Sequence, residues 1–316
     1  MKVIHLHHPY DPTEIDPEPI VLALGFFDGV HRGHQAVIKR ARAIATAKGL
    51  PLAVMTFNQH PAIVFKQIGP DGIDYLSPLK RKIELMQANQ VDLLYVVDFT
   101  SEFASLSPKA FVNQYMVNLH AQIVVAGFDY TYGQKAEANM TTLPHLSQGR
   151  FETVSVAEQD AAAAKISSSR IRQLLLQGNV DQANTLLGYT YQTAGLVVHG
   201  LARGRTLGYP TANILTDDHQ QIPGVGIYAV QIQVNGHWYE AMASVGYNIT
   251  FADQHKLTVE INIFDFDTFI YGESVRICWY HYLRGEVKFE NAQGLITQLG
   301  QDKINTRQYF EDLRRS

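Results

Sequence analysis

Ile20-Val21-Leu22-Ala23-Leu24 is an unbroken apolar run, and a run of this length without polar alternation reads as a strand buried on both faces. It leads into Gly25-Phe26-Phe27-Asp28-Gly29-Val30-His31-Arg32-Gly33-His34 and then into Gln35–Ala45, where apolar residues recur three and four apart as in a helix. Gly49 closes that helix, and Leu52-Ala53-Val54-Met55-Thr56-Phe57 is a second buried strand. Strand, helix and strand at this spacing call for a right-handed crossover and parallel neighbours, so the first half of the chain is confined to a layered α/β fold. The turn itself aims free backbone N–H groups and the positive end of a helix dipole at one point, which suits a phosphate. His31 and His34 share a face there, and each donates a hydrogen bond without needing charge. A capped helix start with two surface histidines is the plainer reading, and spacing alone leaves both open.

Further on, the pattern continues as helix Leu79–Asn89, strand Leu93–Val97, helix Pro108–Asn118 and strand Ile123–Ala126. The last ends in a glycine-bounded aromatic loop, Gly127-Phe128-Asp129-Tyr130-Thr131-Tyr132-Gly133. Asn58 follows the Leu52–Phe57 strand at its carboxyl end, where open α/β sheets bind ligands. Ile166-Ser167-Ser168-Ser169-Arg170-Ile171-Arg172 opens a helix that Gly178 stops. Hydroxyls and arginines at such a helix start form a second phosphate-binding point, and a simple serine cap is the alternative.

Near Leu186–Tyr191 the period changes. Strands then follow one another over Ala194–His199, Ile227–Val234, His237–Val245, Leu257–Phe266 and Ser274–Leu283, and Asn235-Gly236 is a type I′ hairpin signal. Many short strands with glycine turns predict a small closed barrel, and Gly294–Phe310 reads as one or two closing helices. The expected division is therefore 1–186 and 187–316. Within Leu257–Ile263 the alternation sets Leu257, Val259, Ile261 and Ile263 on one face and Glu260, with Thr258 and Asn262, on the other.

With 316 residues the chain has room for two cores. Its net charge of −4 does not favour nucleic acid. No apolar stretch is long enough to span a membrane, and no signal-peptide pattern opens the chain. These features predict a cytoplasmic protein with no nucleic-acid or membrane partner and leave room for weak self-association. The single cysteine, Cys278, excludes an intrachain disulfide and reads as a small buried hydrophobe.

Several segments carry a resemblance. His31-Arg32-Gly33-His34 resembles the His-x-Gly-His signature of the nucleotidyltransferases. The Thr56–Pro61, Gly127–Gly133 and Ile166–Arg172 segments resemble motifs of the adenylyltransferase half of prokaryotic bifunctional riboflavin kinase/FAD synthetases. Gly204-Arg205-Thr206-Leu207-Gly208-Tyr209-Pro210-Thr211-Ala212-Asn213 closely resembles the riboflavin kinase signature, and it is the most specific of them. Val259-Glu260 with Asp265-Phe266 and Tyr271-Gly272-Glu273 is similar to the segment that carries that family's catalytic Glu.

The resemblance implies a Rossmann-like nucleotidyltransferase domain with a parallel sheet, followed by a riboflavin-kinase-like antiparallel β-barrel with a closing helix. It implies a transferase that phosphorylates riboflavin to FMN with ATP and Mg²⁺, then adenylylates FMN with a second ATP to FAD and pyrophosphate. The implied catalytic residues are Glu260, His31, His34 and Arg172. Nucleotide and phosphate contacts fall on Gly25, Phe27, Asp28, Gly29, Gly33, Ser168, Ser169, Gly204, Arg205 and Gly208. Flavin contacts fall on Asn58, Asp129, Arg284 and Glu286, and metal contacts on Thr211 and Asn213. The chain departs from the family pattern at Ser169, where Thr is usual, and in the kinase half at Tyr247, Ile249, Asn262 and Gly285. Two other readings stay open: an FAD synthetase whose second domain only binds flavin, and a non-enzymatic flavin sensor.

Overall fold

Strands that are apolar on both sides must lie between two covering layers, and the first half of the chain builds such a sheet. The computed structural model describes residues 1–69, 72–134, 136–158, 160–161, 164–200, 208–247 and 257–315; Gly204, Arg205 and Ile249 lie outside the described residues. The chain divides into two compact units, Met1–Ser168 and Ser169–Ser316.

In the first unit β1 (Lys2–Leu6), β2 (Ile20–Leu24), β3 (Leu52–Phe57), β4 (Leu93–Val97), β5 (Ala121–Gly127) and β6 (Glu152–Val156) form one parallel sheet in the order β1-β4-β3-β2-β5-β6. Every residue of β2, β3 and β4 is buried, whereas the edge strands β1 and β6 are part-exposed. From β2 the chain winds one way through β3 and β4, and β5 pairs on the other side. The carboxyl end of β2 is thus a topological switch point, where ligands bind in open sheets of this kind.

The helices of this unit are α1 (Arg32–Lys48), α2 (Ala62–Phe65), α3 (Leu79–Ala88), α4 (Ser101–Ala104), α5 (Pro108–Val112) and α6 (Leu143–Ser147). Gly49 ends α1 in the left-handed conformation, φ 66°. The single helix predicted over 108–118 is interrupted, because after α5 the chain widens into a π-turn over Asn113–Val117. Tyr115 and Met116 in that turn are both fully buried. Short strands β7 (Asp160–Ala161) and β8 (Ala164–Lys165) then pair antiparallel.

The second unit holds α7 (Ser168–Leu176, from its second residue), α8 (Val180–Leu187), six strands and a long final helix α9 (Ala292–Arg315). The strands are β9 (Tyr191–Val198), β10 (Ala212–Thr216), β11 (Gly226–Val234), β12 (His237–Tyr247), β13 (Leu257–Ile263) and β14 (Ser274–Arg284). They close as an antiparallel barrel in the order β10-β13-β12-β11-β14-β9. Five of them are legible in the alternation; β10 is the addition, and it carries Ala212 and Asn213 of the kinase-like signature. Asn235 and Gly236 take φ 48° and 83°, as a type I′ hairpin requires. Trp279 is fully buried in the barrel, donates from Nε1 to Thr193 Oγ1 at 2.9 Å and meets Tyr228 edge-on at 5.2 Å. Such a ring pair adds about 0.5–1.5 kcal/mol beyond its burial.

The two helices before the change of period pack on the barrel. Gly224 N–H donates to Leu175 O at 2.9 Å, and a Cβ at Gly224 would stand 2.0 Å from Leu176 O. Asn184 accepts from Tyr191 N–H at 2.7 Å and donates to Trp279 O at 2.8 Å.

Candidate active sites

In the first unit a cleft of about 400 Å³ opens at the carboxyl ends of β2, β5 and β6, lined among others by Leu24, Gly127 and Val156. The turn after β2 shapes its floor. A Cβ on Gly25 would come within 2.7 Å of Phe27 Cζ, because Phe27 folds back with φ 54°. Gly29 follows in the left-handed region at φ 78°. Gly33 lies under His31, whose ring stands 3.2 Å from where its Cβ would be. His31 caps α1: its Nδ1 accepts the His34 N–H at 3.3 Å. That leaves Nε2 as the protonated nitrogen of neutral His31.

The two imidazoles stack with centroids 3.6 Å apart, and Phe27 packs edge-on against His34 at 5.3 Å. Burial pushes His31 down to about 4. Burial also drives His34 well below its ordinary range, with the His31 and Lys82 charges acting in the same direction. Both are therefore neutral at pH 7, and among the described residues the buried His34 Nδ1 has no hydrogen-bond partner. The pair presents neutral, fixed polar groups beside the free N–H groups of a helix start, as an anionic phosphate site needs.

Asp28 does not face this cleft. It is 2% exposed, and its carboxylate accepts from Leu76 N–H at 3.2 Å and Ser77 N–H at 3.0 Å. Ser77 Oγ in turn takes the Gly29 N–H at 2.7 Å, and Ser168 Oγ donates to Asp28 O at 2.9 Å. Asp28 therefore shapes the turn from behind, a consequence of contacts some fifty residues away that spacing does not reveal. Ser168 lines the cleft. Ser169 is exposed and Arg172 half-buried on α7 in the second unit.

A second cavity, of about 760 Å³, is walled by Phe65, Phe99, Phe103, Phe111, Tyr130 and Tyr132. It shares Phe57, Pro61, Tyr130 and Thr131 with the histidine cleft. Asn58 stands behind this wall: it donates to Asp98 Oδ1 at 2.8 Å and accepts from Phe99 N–H at 3.0 Å. Asp129 lines the histidine cleft and pairs with Lys165 at 2.7 Å. Neither residue lines the aromatic cavity.

Two lysines escaped the sequence reading. Lys165 is the one Lys or Arg side chain on the cleft wall among the described residues. Lys82 on α3 is 2% exposed, and its Nζ reaches Phe26 O at 2.9 Å, Thr56 Oγ1 at 3.4 Å and Phe57 O at 3.5 Å. A signal was present, since Lys82, Leu85 and Met86 occupy the i, i+3, i+4 stripe that α3 buries.

In the second unit Thr211 Oγ1 lies 3.4 Å from Glu260 Oε2, and Asn213 faces Glu260 across the β10–β13 ladder. Asn262, one of the departures, is buried and donates to Pro210 O at 2.7 Å, so it ties β13 to the start of the Thr211 segment. Thr211 also lines a cavity of about 280 Å³ with Ile261, Phe266, Asp267, Phe269 and Tyr271. The Tyr271 ring stacks on His199 at 3.8 Å. Gly208 takes φ 81° just before this segment. Arg284 is engaged by Asp302 of α9, and Glu286 sits over Gly246, where a Cβ would stand 2.3 Å from its Oε1. Gly285 has Tyr282 Oη 3.3 Å from its would-be Cβ, and Tyr247 is exposed.

Residues 13–170 match the family model described as FAD synthetase, and residues 187–310 match the one described as riboflavin kinase. The bifunctional riboflavin kinase/FMN adenylyltransferase of Listeria monocytogenes is 51% identical over 313 residues, covering 99% of each chain. Its Bacillus subtilis counterpart is 42% identical over 317 residues, covering 100% of each. A crystal structure from Streptococcus pneumoniae, described as a macrolide-efflux protein, superposes with a TM-score of 0.90 at 39% identity, over 97% of this chain and 99% of that one.

Proposed function

This chain belongs to the family of bifunctional riboflavin kinases/FMN adenylyltransferases, and from that premise we propose how its two sites divide the work. The protein phosphorylates riboflavin to FMN and adenylylates FMN to FAD, each with ATP. We assign adenylyl transfer to residues 1–186 and the kinase to 187–316. The ranges of the two family models support this division, with α7 and α8 as a bridge that packs on the barrel.

The observation that carries the adenylyl-transfer site is the stacked, neutral His31–His34 pair at the switch point. An FMN phosphate oxygen attacks the α-phosphorus of ATP, and the bond to pyrophosphate breaks. Negative charge grows on the leaving group, where His31 Nε2–H, His34 and the first N–H groups of α1 stabilise it. Gly25, Phe27, Gly29 and Gly33 hold the turn, and Ser168 orients phosphate; Ser169 and Arg172 carry the phosphate-binding part of the α7 motif. Asp28 acts through the turn rather than on substrate. The aromatic cavity takes the flavin ring, because ring faces suit it and it adjoins the phosphate cleft. Asn58 supports it through Phe99, and Asp129 serves the phosphate side.

In the kinase, Glu260 accepts the proton of riboflavin's terminal hydroxyl as that oxygen attacks the γ-phosphorus and ADP departs. A hard divalent cation fits the oxygen donors gathered at Thr211, Asn213 and Glu260, so Thr211 and Asn213 would hold Mg²⁺ there. When bound, it supplies neutralisation of phosphate charge. Gly204, Arg205 and Gly208 complete the nucleotide contacts, and Arg284 and Glu286 shape the flavin side. ATP places the protein in the cytoplasm, and neither reaction calls for a nucleic-acid, membrane or tightly associated partner. The efflux description of the S. pneumoniae structure has no counterpart in the two family models, and among the described residues no helix is long and apolar enough to cross a membrane.

Incubation with riboflavin, ATP and Mg²⁺, followed by product separation, tests the reading. FMN and then FAD are expected. FAD from FMN but no FMN from riboflavin would reduce the barrel to a binding domain, and flavin binding without either product would make the chain a sensor.

A further inference from the structure

We propose that Lys82 is a positioning residue for adenylyl transfer: its buried ammonium, held on the Phe26 and Phe57 carbonyls, fixes the ends of β2 and β3 behind the phosphate turn and lends positive charge to the cleft. The inference rests on the reading of that cleft as the adenylyl-transfer site.

An ammonium buried to 2% exposure normally finds a carboxylate, because desolvation is costly. Lys82 has none within ion-pair distance among the described residues. Its hydrogen bonds go to Phe26 O, Thr56 Oγ1 and Phe57 O, while Thr56 Oγ1 itself donates to Phe26 O at 2.8 Å. One cation therefore ties together the two parallel strands where they end, at the start of the turn. The ammonium also lies 4.0 Å from the centroid of the Phe26 ring, and Phe26 and Phe57 both line the cleft. A residue kept only for packing needs no charge in this position, since a methionine fills the same volume.

The titratable groups that act on Lys82 are few. Asp28, in the turn, favours its charge; His34, on α1, is held neutral partly by it. β2 and β3 offer only carbonyls and the Thr56 hydroxyl, and the Phe26 ring is flanked on its own edges by His60 and Tyr75. Burial brings Lys82 down to about 8. It is thus charged below that pH and loses its proton just above, within a range where the enzyme can be assayed.

The test uses the full chain with saturating FMN and ATP between pH 6.5 and 9.5, with riboflavin phosphorylation measured on the same preparations. The parent's FAD-forming rate is expected to fall as pH rises through about 8. Lys82→Met should lose about tenfold at pH 7, an order less than the roughly 10²–10³ typical of a donor in direct contact. It should also lack the alkaline fall, and Lys82→Arg should keep the rate and lack the fall. Kinase rates should match the parent in both variants. A Lys82→Met protein with the parent's rate and pH profile overturns the proposal. So does a parent profile that is flat through pH 9.5, which decides the matter even where the Met variant does not fold. His34→Ala separates the two levels: if FAD formation survives it, the site reading fails; if FAD formation is lost and the Lys82 profiles are unchanged, only this inference fails.

Discussion

Arg284 grips both carboxylate oxygens of Asp302, Nε to Oδ1 at 2.9 Å and Nη2 to Oδ2 at 2.6 Å. Asp302 is 1% exposed and also takes Gln298 Nε2 on Oδ1 at 2.9 Å. The closing helix is therefore bonded to the end of β14 as well as packed on it. Removing one partner of a buried pair leaves the other charge stranded, at about 3–5 kcal/mol. Asp302→Ala should lower the melting temperature and slow riboflavin phosphorylation, with FAD formation from supplied FMN spared. A variant that melts with the parent would show that the pair contributes nothing to stability.

His31→Ala or His34→Ala should cut FAD formation from FMN by about 10²–10³, the usual effect of losing one fixed donor to developing charge. FMN formation should survive. Assaying both half-reactions on each variant checks this, and intact FAD synthesis would make the turn merely structural.

The same histidines give a pH dependence of stability. Unfolded His31 titrates near 6.5, and burial holds the native residue at about 4. Between these values the unfolded chain binds a proton that the native chain does not, so stability rises with pH across the window and falls on acidification from 6.5 towards 4. His34, depressed mainly by burial, adds to the same trend. Melting temperatures at pH 7.5 and 4.5 should show the drop, and His31→Ala should reduce it.

Glu260→Gln should preserve the fold but lower riboflavin phosphorylation by about 10²-fold or more, within the range of a positioned base. FAD synthesis from FMN should continue. If the kinase ran at the parent rate, Asp265 would be a poor substitute candidate, because it is turned to solvent and paired with Arg307 at 2.8 Å. Asp267, on the cavity wall, would be the residue to test next.

A fragment of residues 169–316 should fold and phosphorylate riboflavin without making FAD. A fragment of 187–316 should be markedly less stable, because it strips Leu175 and Asn184 from their partners Gly224, Tyr191 and Trp279. Denaturant melts of the two fragments decide the point; equal stability would show that α7 and α8 do not support the barrel.

Much of this molecule is readable locally. The unbroken apolar run of β2 and the nearly apolar run of β3 require a two-sided parallel sheet, and Asn235-Gly236 requires a tight hairpin. β10 was hidden because its five residues follow Pro210 and carry a signature that reads as loop. Asp28 sits in the turn, but its carboxylate accepts from Leu76 and Ser77 N–H, which the chain brings in just before α3.

The two architectures, the glycine turn after β2 and the kinase-like signature are each written in residues a few positions apart, and so are legible along the chain. The burial that disfavours charge on His31 and His34, the burial of Lys82, the pairing of Arg284 with Asp302 and the packing of α7 and α8 on the barrel all follow from tertiary contacts. These depend on burial and on partners brought together by folding, such as Lys82 and Phe26 across 56 positions of chain. Desolvation and close contact arise only once the layers have packed, and no local period encodes them.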